Sequence, residues 1–255
     1  MKWNPEIYNQ FKVIRYQPFF DLMSLISEEN LTNAVDIGCG TGEQTKILSE
    51  KFTNTHFTGI DTSKEMLAKS KEFEKQNLHF EIKSVEDFIQ DDSKYDLIFS
   101  NAALQWSDNH ERLFPTLLSK LSENGQFAVQ MPMQSQNILN QILVQLASEE
   151  PFKTQLNGFN RISPLLTVDE YAEILFNANL QDLNISVRVY PIIANDVDTL
   201  FNFISGSALI PYLERLNEEQ QDVFTTEFKN RIAQKFKSFP AIYSFKRLLM
   251  YGRKA

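Results

Sequence analysis

The run VDIGCGTG from Val35 to Gly42, together with the acid that closes the next apolar run at Asp61, constrains this chain more than any other feature. An apolar run, a glycine-rich turn, a helical stretch, a second apolar run and a carboxylate arrive in that order. In an open α/β sheet this order builds a nucleoside-binding crevice at the carboxyl ends of the strands. The glycine spacing narrows the ligand. A dinucleotide fingerprint, G-x-G-x-x-G, counted from Gly38 and Gly40 needs glycine at position 43; the chain has Glu43 there and its third glycine at Gly42. A P-loop ends in Gly-Lys-Ser/Thr, which is absent. The loop therefore suits close backbone approach by a nucleoside without phosphates. Alone, the glycines would read as a tight turn and Asp61 as a helix cap. The ordered combination favours the binding site.

The rest of the first half alternates regularly. Short apolar runs at Ala34–Ile37, His56–Ile60, Leu78–Ile82, Tyr95–Ser100 and Gly125–Met131 predict strands. Helical patterns lie between them at Glu43–Lys51, Ser63–Gln76, Glu86–Gln90 and Glu111–Leu121, with Ser63 as an N-cap. Such alternation means an α/β fold, a parallel sheet wound on both faces. Beyond Met131 come amphipathic helices at Asn137–Ala147 and Val168–Asn177, an alternating strand at Leu183–Ile193, and a Phe-rich helical stretch over Asp196–Lys237. A last strand follows at Tyr243–Tyr251. The phenylalanines of that stretch predict at least a satellite core.

Composition excludes several functions. A net charge of −8 argues against unaided binding to nucleic acid. The single cysteine, Cys39, forms no internal disulfide and reads as a small residue that fits the glycine loop. His56, His79 and His110 lack metal-ligand spacing, so no metal is expected, and His56 and His79 read as hydrogen-bonded structural residues. Met1–Gln10 has no apolar signal-peptide core, and no run nears the ~18 residues of a membrane helix. The expectation is a cytoplasmic protein without membrane contact.

The G-x-G-x-G turn after an apolar strand resembles motif I of the class I S-adenosylmethionine (SAM) methyltransferases. The resemblance implies SAM as cofactor, S-adenosylhomocysteine (SAH) as product, and a Rossmann-like, mostly parallel, seven-stranded sheet. It places Gly38, Gly40 and Gly42 under the amino-acid end of SAM, Asp61 on both ribose hydroxyls, and Asp36 facing the cationic end. It also places Ser84, Val85 and Glu86 by the adenine and Asn101 beside the cofactor at the end of strand four.

Departures from the motifs of other members favour an acceptor that needs little activation. DNA and protein amino-methylating members usually carry Asn/Asp-Pro-Pro-Tyr/Phe where this chain has Asn101-Ala102-Ala103-Leu104. Pyrimidine C5 chemistry needs a cysteine beside a proline, and catechol chemistry a metal cluster; neither is legible. A carboxylate, with an unperturbed pKa of about 4.3, is already a nucleophile at pH 7 and needs only alignment and exclusion of water.

A closer resemblance runs along nearly the whole chain. WNPEIY (Trp3–Tyr8), Arg15-Tyr16-Gln17-Pro18, SNAALQW (Ser100–Trp106), VQMP (Val129–Pro132) and GSALIPYL (Gly206–Leu213) are similar to the trans-aconitate methyltransferases, which esterify a small polyacid. This implies Trp106, Arg15 and Gln17 as the residues converging on the acceptor carboxylate. From the residues alone, Trp106 is equally a buried tryptophan at a strand end. The implied organisation is an N-terminal segment covering the cleft (1–30), a SAM-binding core (31–195 and 240–255) and a helical lid inserted before the last strand (196–239).

Two departures stand out: Ser84 occupies a position where the family commonly has an acid, and Leu209-Ile210-Pro211 replaces the usual G-L-R-P. A second resemblance, through the A-x-Q-W turn, is to the malonyl-carrier-protein methyltransferases of biotin synthesis. It would require a basic patch for an acyl carrier protein, for which Arg231, Lys235, Lys237, Lys246 and Arg247 are the candidates. A SAM-binding protein without turnover is the non-enzymatic alternative.

Overall fold

The computed structural model describes residues 12–255. The similarity at Trp3–Tyr8 and the reading of Met1–Gln10 lie outside the described residues. The strands are β1 (Asn33–Ile37), β2 (His56–Asp61), β3 (Leu78–Ile82), β4 (Tyr95–Asn101), β5 (Leu121–Pro132), β6 (Leu180–Ala194) and β7 (Ala241–Lys254). The helices begin with α1 (Lys12–Met23), α2 (Glu43–Lys51), α3 (Lys64–Ser70), α4 (Val85–Phe88) and α5 (His110–Ser119). They continue with α6 (Ile138–Ser148), α7 (Phe152–Gln155), α8 (Val168–Asn177), α9 (Val197–Ser205), α10 (Ile210–Leu213) and α11 (Glu218–Lys235).

The seven strands form one sheet in the order β3-β2-β1-β4-β5-β7-β6. The pairs β3–β2, β2–β1, β1–β4 and β4–β5 are parallel, and β5–β7 is antiparallel. This is the doubly wound, mostly parallel α/β fold expected. Its central strands are mostly apolar because both faces are covered: Ala34–Ile37 of β1 and Phe127–Met131 of β5 are buried, with Asp36 and Gln130 as the polar residues among them. Strand order reverses between β1 and β4, and the crevice at their carboxyl ends is where such sheets bind ligands.

The chain divides into two compact units. The first comprises Pro18–Pro132, Pro164–Arg188 and Arg247–Ala255. One of its cores gathers Phe19, Leu22, Leu48, Phe57, Leu97 and Phe99. The second comprises Met133–Ser163, Val189–Lys246 and, of the N-terminal segment, the described residues 12–17. Its core is built from α6 and α9–α11, with Phe201, Phe203, Phe224 and Phe228 all buried. The satellite core predicted from the phenylalanines is therefore present.

Three expectations need correction. The helical reading of Asp196–Lys237 breaks into α9, α10 and α11. Gly206 ends α9, Pro211 lies in the first turn of α10, and Asn217 opens α11 through a capping box with Gln220. The helix expected over Ser63–Gln76 stops at Ser70 with a further 3-10 turn, because Lys75 and Leu78 exchange backbone hydrogen bonds that turn the chain into β3. His56 and His79, expected as hydrogen-bonded structural residues, are exposed on β2 and β3.

Candidate active site

The loop after β1 is hooked over the end of β2. The Gly38 and Cys39 amides donate to the Ile60 carbonyl at 2.8 and 3.0 Å. The Asp61 carboxylate accepts from the Gly40 amide at 2.9 Å through one oxygen and from the Ser63 amide at 2.8 Å through the other. Ser63 caps α3 as expected, its side chain accepting from the Met66 amide. Asp61 is thereby fixed, with lone pairs left on both oxygens to accept from a ligand.

The three glycines have different tasks. All have φ between +56 and +77°, a region that only glycine enters cheaply. A Cβ on Gly38 would lie 2.1 Å from the Ala103 Cβ, and one on Gly42 would lie 2.6 Å from the Ser70 Cβ. The protein fills those spaces itself. A Cβ on Gly40 would meet only the Met66 sulfur, at 3.7 Å. Around Gly40 stand Asp61, Met66 at 48% exposure, and the register partner of Asp61 on β3, Ile82, at 60%. An open backbone face, a hydroxyl-accepting carboxylate and two exposed apolar side chains suit an adenosine.

Asp36 is buried on β1 and accepts a 2.6 Å hydrogen bond from the Thr45 hydroxyl of α2. Burial raises its pKa from 3.8 to about 7 against the lowering effect of that bond, and the nearby Asp61 charge pushes it further up. A cation placed nearby would restore its ionisation. Burial, helped by Asp36 and Asp61, drives the Cys39 thiol far above its ordinary range. It is therefore an inert thiol, as its place in the loop suggested.

Ser84, Val85 and Glu86 follow β3, and the Lys83 amide ties this segment to the Asp61 carbonyl at 3.1 Å. Ser84 caps α4: its hydroxyl accepts from the Asp87 amide and donates to the Asp87 carboxylate. Sequence reading passed over this cap, although Ser84-Val85-Glu86-Asp87 carries the S-x-x-D pattern of a helix start. Val85 is half-buried and Glu86 exposed.

Across the crevice, β4 ends in Ser100 and Asn101. Ser100 donates to the Ile37 carbonyl, locking β4 to β1. Ala102 adopts φ +58°, a left-handed conformation held by the bond from its amide to the Gln130 carbonyl. A 3-10 turn then spans Leu104–Trp106. Trp106 is 44% exposed on it, so the buried-tryptophan alternative does not hold.

The turn rests on buried His110, whose Nε2 lies 3.0 Å from both the Leu104 and Ser107 carbonyls and whose Nδ1 meets the Tyr171 hydroxyl. Two carbonyl acceptors require a proton on Nε2, so Nδ1 accepts from tyrosine if the ring is neutral. His110 is thus a brace for the Trp106 turn. Sequence reading passed over it because its partners are backbone carbonyls and a tyrosine far along the chain.

Arg15 and Gln17 belong to the other unit. Arg15 donates from Nη2 to the Phe203 carbonyl at 2.7 Å and lies over the Phe203 ring, at the carboxyl end of α9, where a cation is favoured. A Cβ on Gly206 would lie 3.6 Å from its guanidinium. Gln17 is exposed.

The chain matches the methyltransferase-domain family over residues 28–179. It is 36% identical to trans-aconitate 2-methyltransferase of Deinococcus radiodurans, over 98% of this chain and 97% of that one. The chain belongs to the SAM-dependent methyltransferases, in the trans-aconitate methyltransferase family. The family relative from Escherichia coli O1:K1 is 29% identical over 99% of this chain and 98% of its own.

Among solved structures, the YcgJ protein of Bacillus subtilis superposes with a TM-score of 0.59 at 17% identity, covering 94% of this chain and 98% of that one. Haemonchus contortus phosphoethanolamine N-methyltransferase 2, in complex with phosphomonomethylethanolamine and SAH, gives 0.57 at 15% identity over 93% of this chain and 52% of that one. Both share the Rossmann-like methyltransferase fold. The enzyme uses SAM as methyl donor.

The basic patch sought for a carrier protein is not assembled from the residues suggested. Arg231 is paired with Glu149 and Glu227. Arg247 is buried, donating to the Gln130 side chain at 3.0 Å. The trans-aconitate methyltransferase relatives lend a carrier partner no support. Among the described residues no helix is long and apolar enough to cross a membrane, and no three His, Cys, Asp or Glu side chains group as metal ligands.

Proposed function

We propose that this enzyme esterifies one carboxylate of a small polycarboxylic acid of the trans-aconitate kind. The observation that carries the reading is the near full-length similarity to a trans-aconitate 2-methyltransferase at 36% identity. Gly38, Gly40, Gly42, Asp36, Asp61, Asn101 and the Ser84–Glu86 segment are assigned to holding SAM. When bound, SAM supplies an electrophilic methyl group on a sulfonium.

The chain's own task is to desolvate and align an acceptor that needs no deprotonation at neutral pH. Trp106, through its indole N–H, and Arg15 and Gln17 are assigned to the acceptor carboxylate, since a buried anion needs charged or N–H partners. Residues 196–239 are assigned to a substrate lid and residues 1–30 to a segment covering the cleft, around a core of 31–195 and 240–255. Supporting this, Arg15 is bound to α9 beside Gly206. Ile210, half-buried, brings no cation to α10, but the Arg161 amide donates to the Tyr212 hydroxyl there at 2.9 Å. The Arg161 charge also acts on Tyr212, whose pKa burial raises and Arg161 pulls down, so a guanidinium lies beside the lid. We place the protein in the cytoplasm, in keeping with its single cysteine.

A panel of small carboxylic acids with methyl-labelled SAM tests the proposal. Base-labile label on trans-aconitate, or on a close polyacid, is expected. Label only on amines or phenols, or SAM binding without transfer to any acid, would overturn it.

A further inference from the structure

Asn101 on β4 and Gln130 on β5 are register partners, and on β7 Arg247 pairs with Pro132, two residues beyond Gln130. Side chains two apart share a sheet face, so Asn101, Gln130 and Arg247 form one row on a single face. The row is hydrogen-bonded end to end. Arg247 Nη1 donates to Gln130 Oε1 at 3.0 Å, Gln130 Nε2 donates to Asn101 Oδ1, and Asn101 Nδ2 donates to Gln44 Oε1 at 2.7 Å. Gln130 and Arg247 are buried.

An amide alone can face either way, but a guanidinium has only donors. Arg247 therefore forces the Gln130 carbonyl towards itself, and each later amide must follow. The last in line, Gln44, spends its carbonyl on Asn101 and is left with its NH2 as the free end of the row.

Strand order says what that NH2 would meet. The sheet runs β2-β1-β4, with Asp61 at the end of β2, the glycine loop at the end of β1, and Asn101 with Gln44 at the end of β4. A ligand whose ribose lies on Asp61 and which crosses the glycine loop brings its opposite end to Gln44. In SAM that end is the amino acid, whose carboxylate is the group an NH2 recognises.

We propose that Gln44 is a binding residue for the carboxylate of SAM and SAH, and that Arg247, Gln130 and Asn101 are positioning residues that fix its donor face. The inference rests on the SAM reading of the glycine loop. It also accounts for a buried arginine at this point of a core strand.

Two ligands separate the outcomes. SAH carries the amino-acid end, while 5′-methylthioadenosine keeps the nucleoside and sulfur without it. Calorimetry on Gln44→Leu, a half-buried position in the first turn of α2, is expected to show SAH binding weakened about tenfold or more, as for one hydrogen bond to a charged group. Methylthioadenosine affinity should stay within about twofold. Gln130→Glu still accepts from Arg247 but cannot donate to Asn101, so the row reverses and Gln44 turns its carbonyl to the ligand. This variant should also lose SAH selectively, and adding it to Gln44→Leu should cost little more. Its thermal unfolding would show whether the fold is kept.

Equal loss of both ligands in Gln44→Leu would mean that Gln44 merely supports the loop, and unchanged SAH affinity would mean that it touches nothing; either overturns the proposal. Failure of the wild-type protein to bind SAH, with methylthioadenosine still bound, would also overturn it while leaving the nucleoside site in place. Failure to bind either ligand would bring down the SAM site itself.

Discussion

Asp36→Asn is the substitution whose effect can be worked most fully from the structure. The wild-type carboxyl is buried, with its pKa raised from 3.8 to about 7, chiefly by desolvation. Well below pH 4 it is protonated in both folded and unfolded chains and contributes no pH dependence. Between about pH 4 and 7 the unfolded chain ionises it while the folded chain holds the proton. The folded state then binds more protons, and stability falls as pH rises across this window. With about 1.4 kcal/mol per pH unit, the cost grows by roughly 3 kcal/mol between pH 5 and pH 8.

Asparagine keeps an oxygen for the Thr45 hydroxyl and removes the charge. The variant should therefore be more stable than wild type at pH 8 by several degrees in melting temperature, at about 2–4 °C per kcal/mol for a chain of this size. The advantage should shrink steadily towards pH 5. The ligand reverses the sign. A cationic ligand favours the ionised carboxylate, so wild-type SAM affinity should rise as pH passes through 7, and the variant should lose both the affinity and its pH dependence. Scanning calorimetry across pH, with and without SAM, reads both. A stability difference that does not change with pH, or SAM affinity untouched by the substitution, would refute the reasoning.

Asp61→Ala should weaken SAM and SAH by tenfold or more in calorimetry, since it removes the proposed ribose acceptor and frees the Gly40 and Ser63 amides. Trp106→Ala and Arg15→Ala should lower turnover with SAM affinity within a few-fold of wild type. Arg15→Ala should also lower the melting temperature, because its guanidinium holds the Phe203 carbonyl. Turnover at saturating SAM should be flat between about pH 6 and 9 and unaffected by chelator, because the acceptor carboxylate is ionised throughout. A rise with an apparent pKa near 9 or 10 would point to a phenol or amine acceptor.

Much of the glycine-loop crevice was legible because it is local. The glycine spacing, the acid ending β2 and the Ser63 cap each depend on neighbours a few residues away, and a strand buried on both faces is written mostly as an apolar run. The bounds of α2 and α8 follow from the same short-range periodicity and caps. What escaped depends on partners distant in sequence. Arg247 reads as one more cation near the carboxyl terminus until β7 is laid beside β5, where register places it in line with Gln130 and Asn101. His110 reads as a stray histidine until Tyr171 and the Leu104 carbonyl are brought to its two nitrogens. The sequence determined that a glycine loop and an acid would meet at the ends of two parallel strands. Tertiary structure alone decided which buried polar groups orient them, because a hydrogen bond inside a core is specified by register and packing rather than by spacing along the chain.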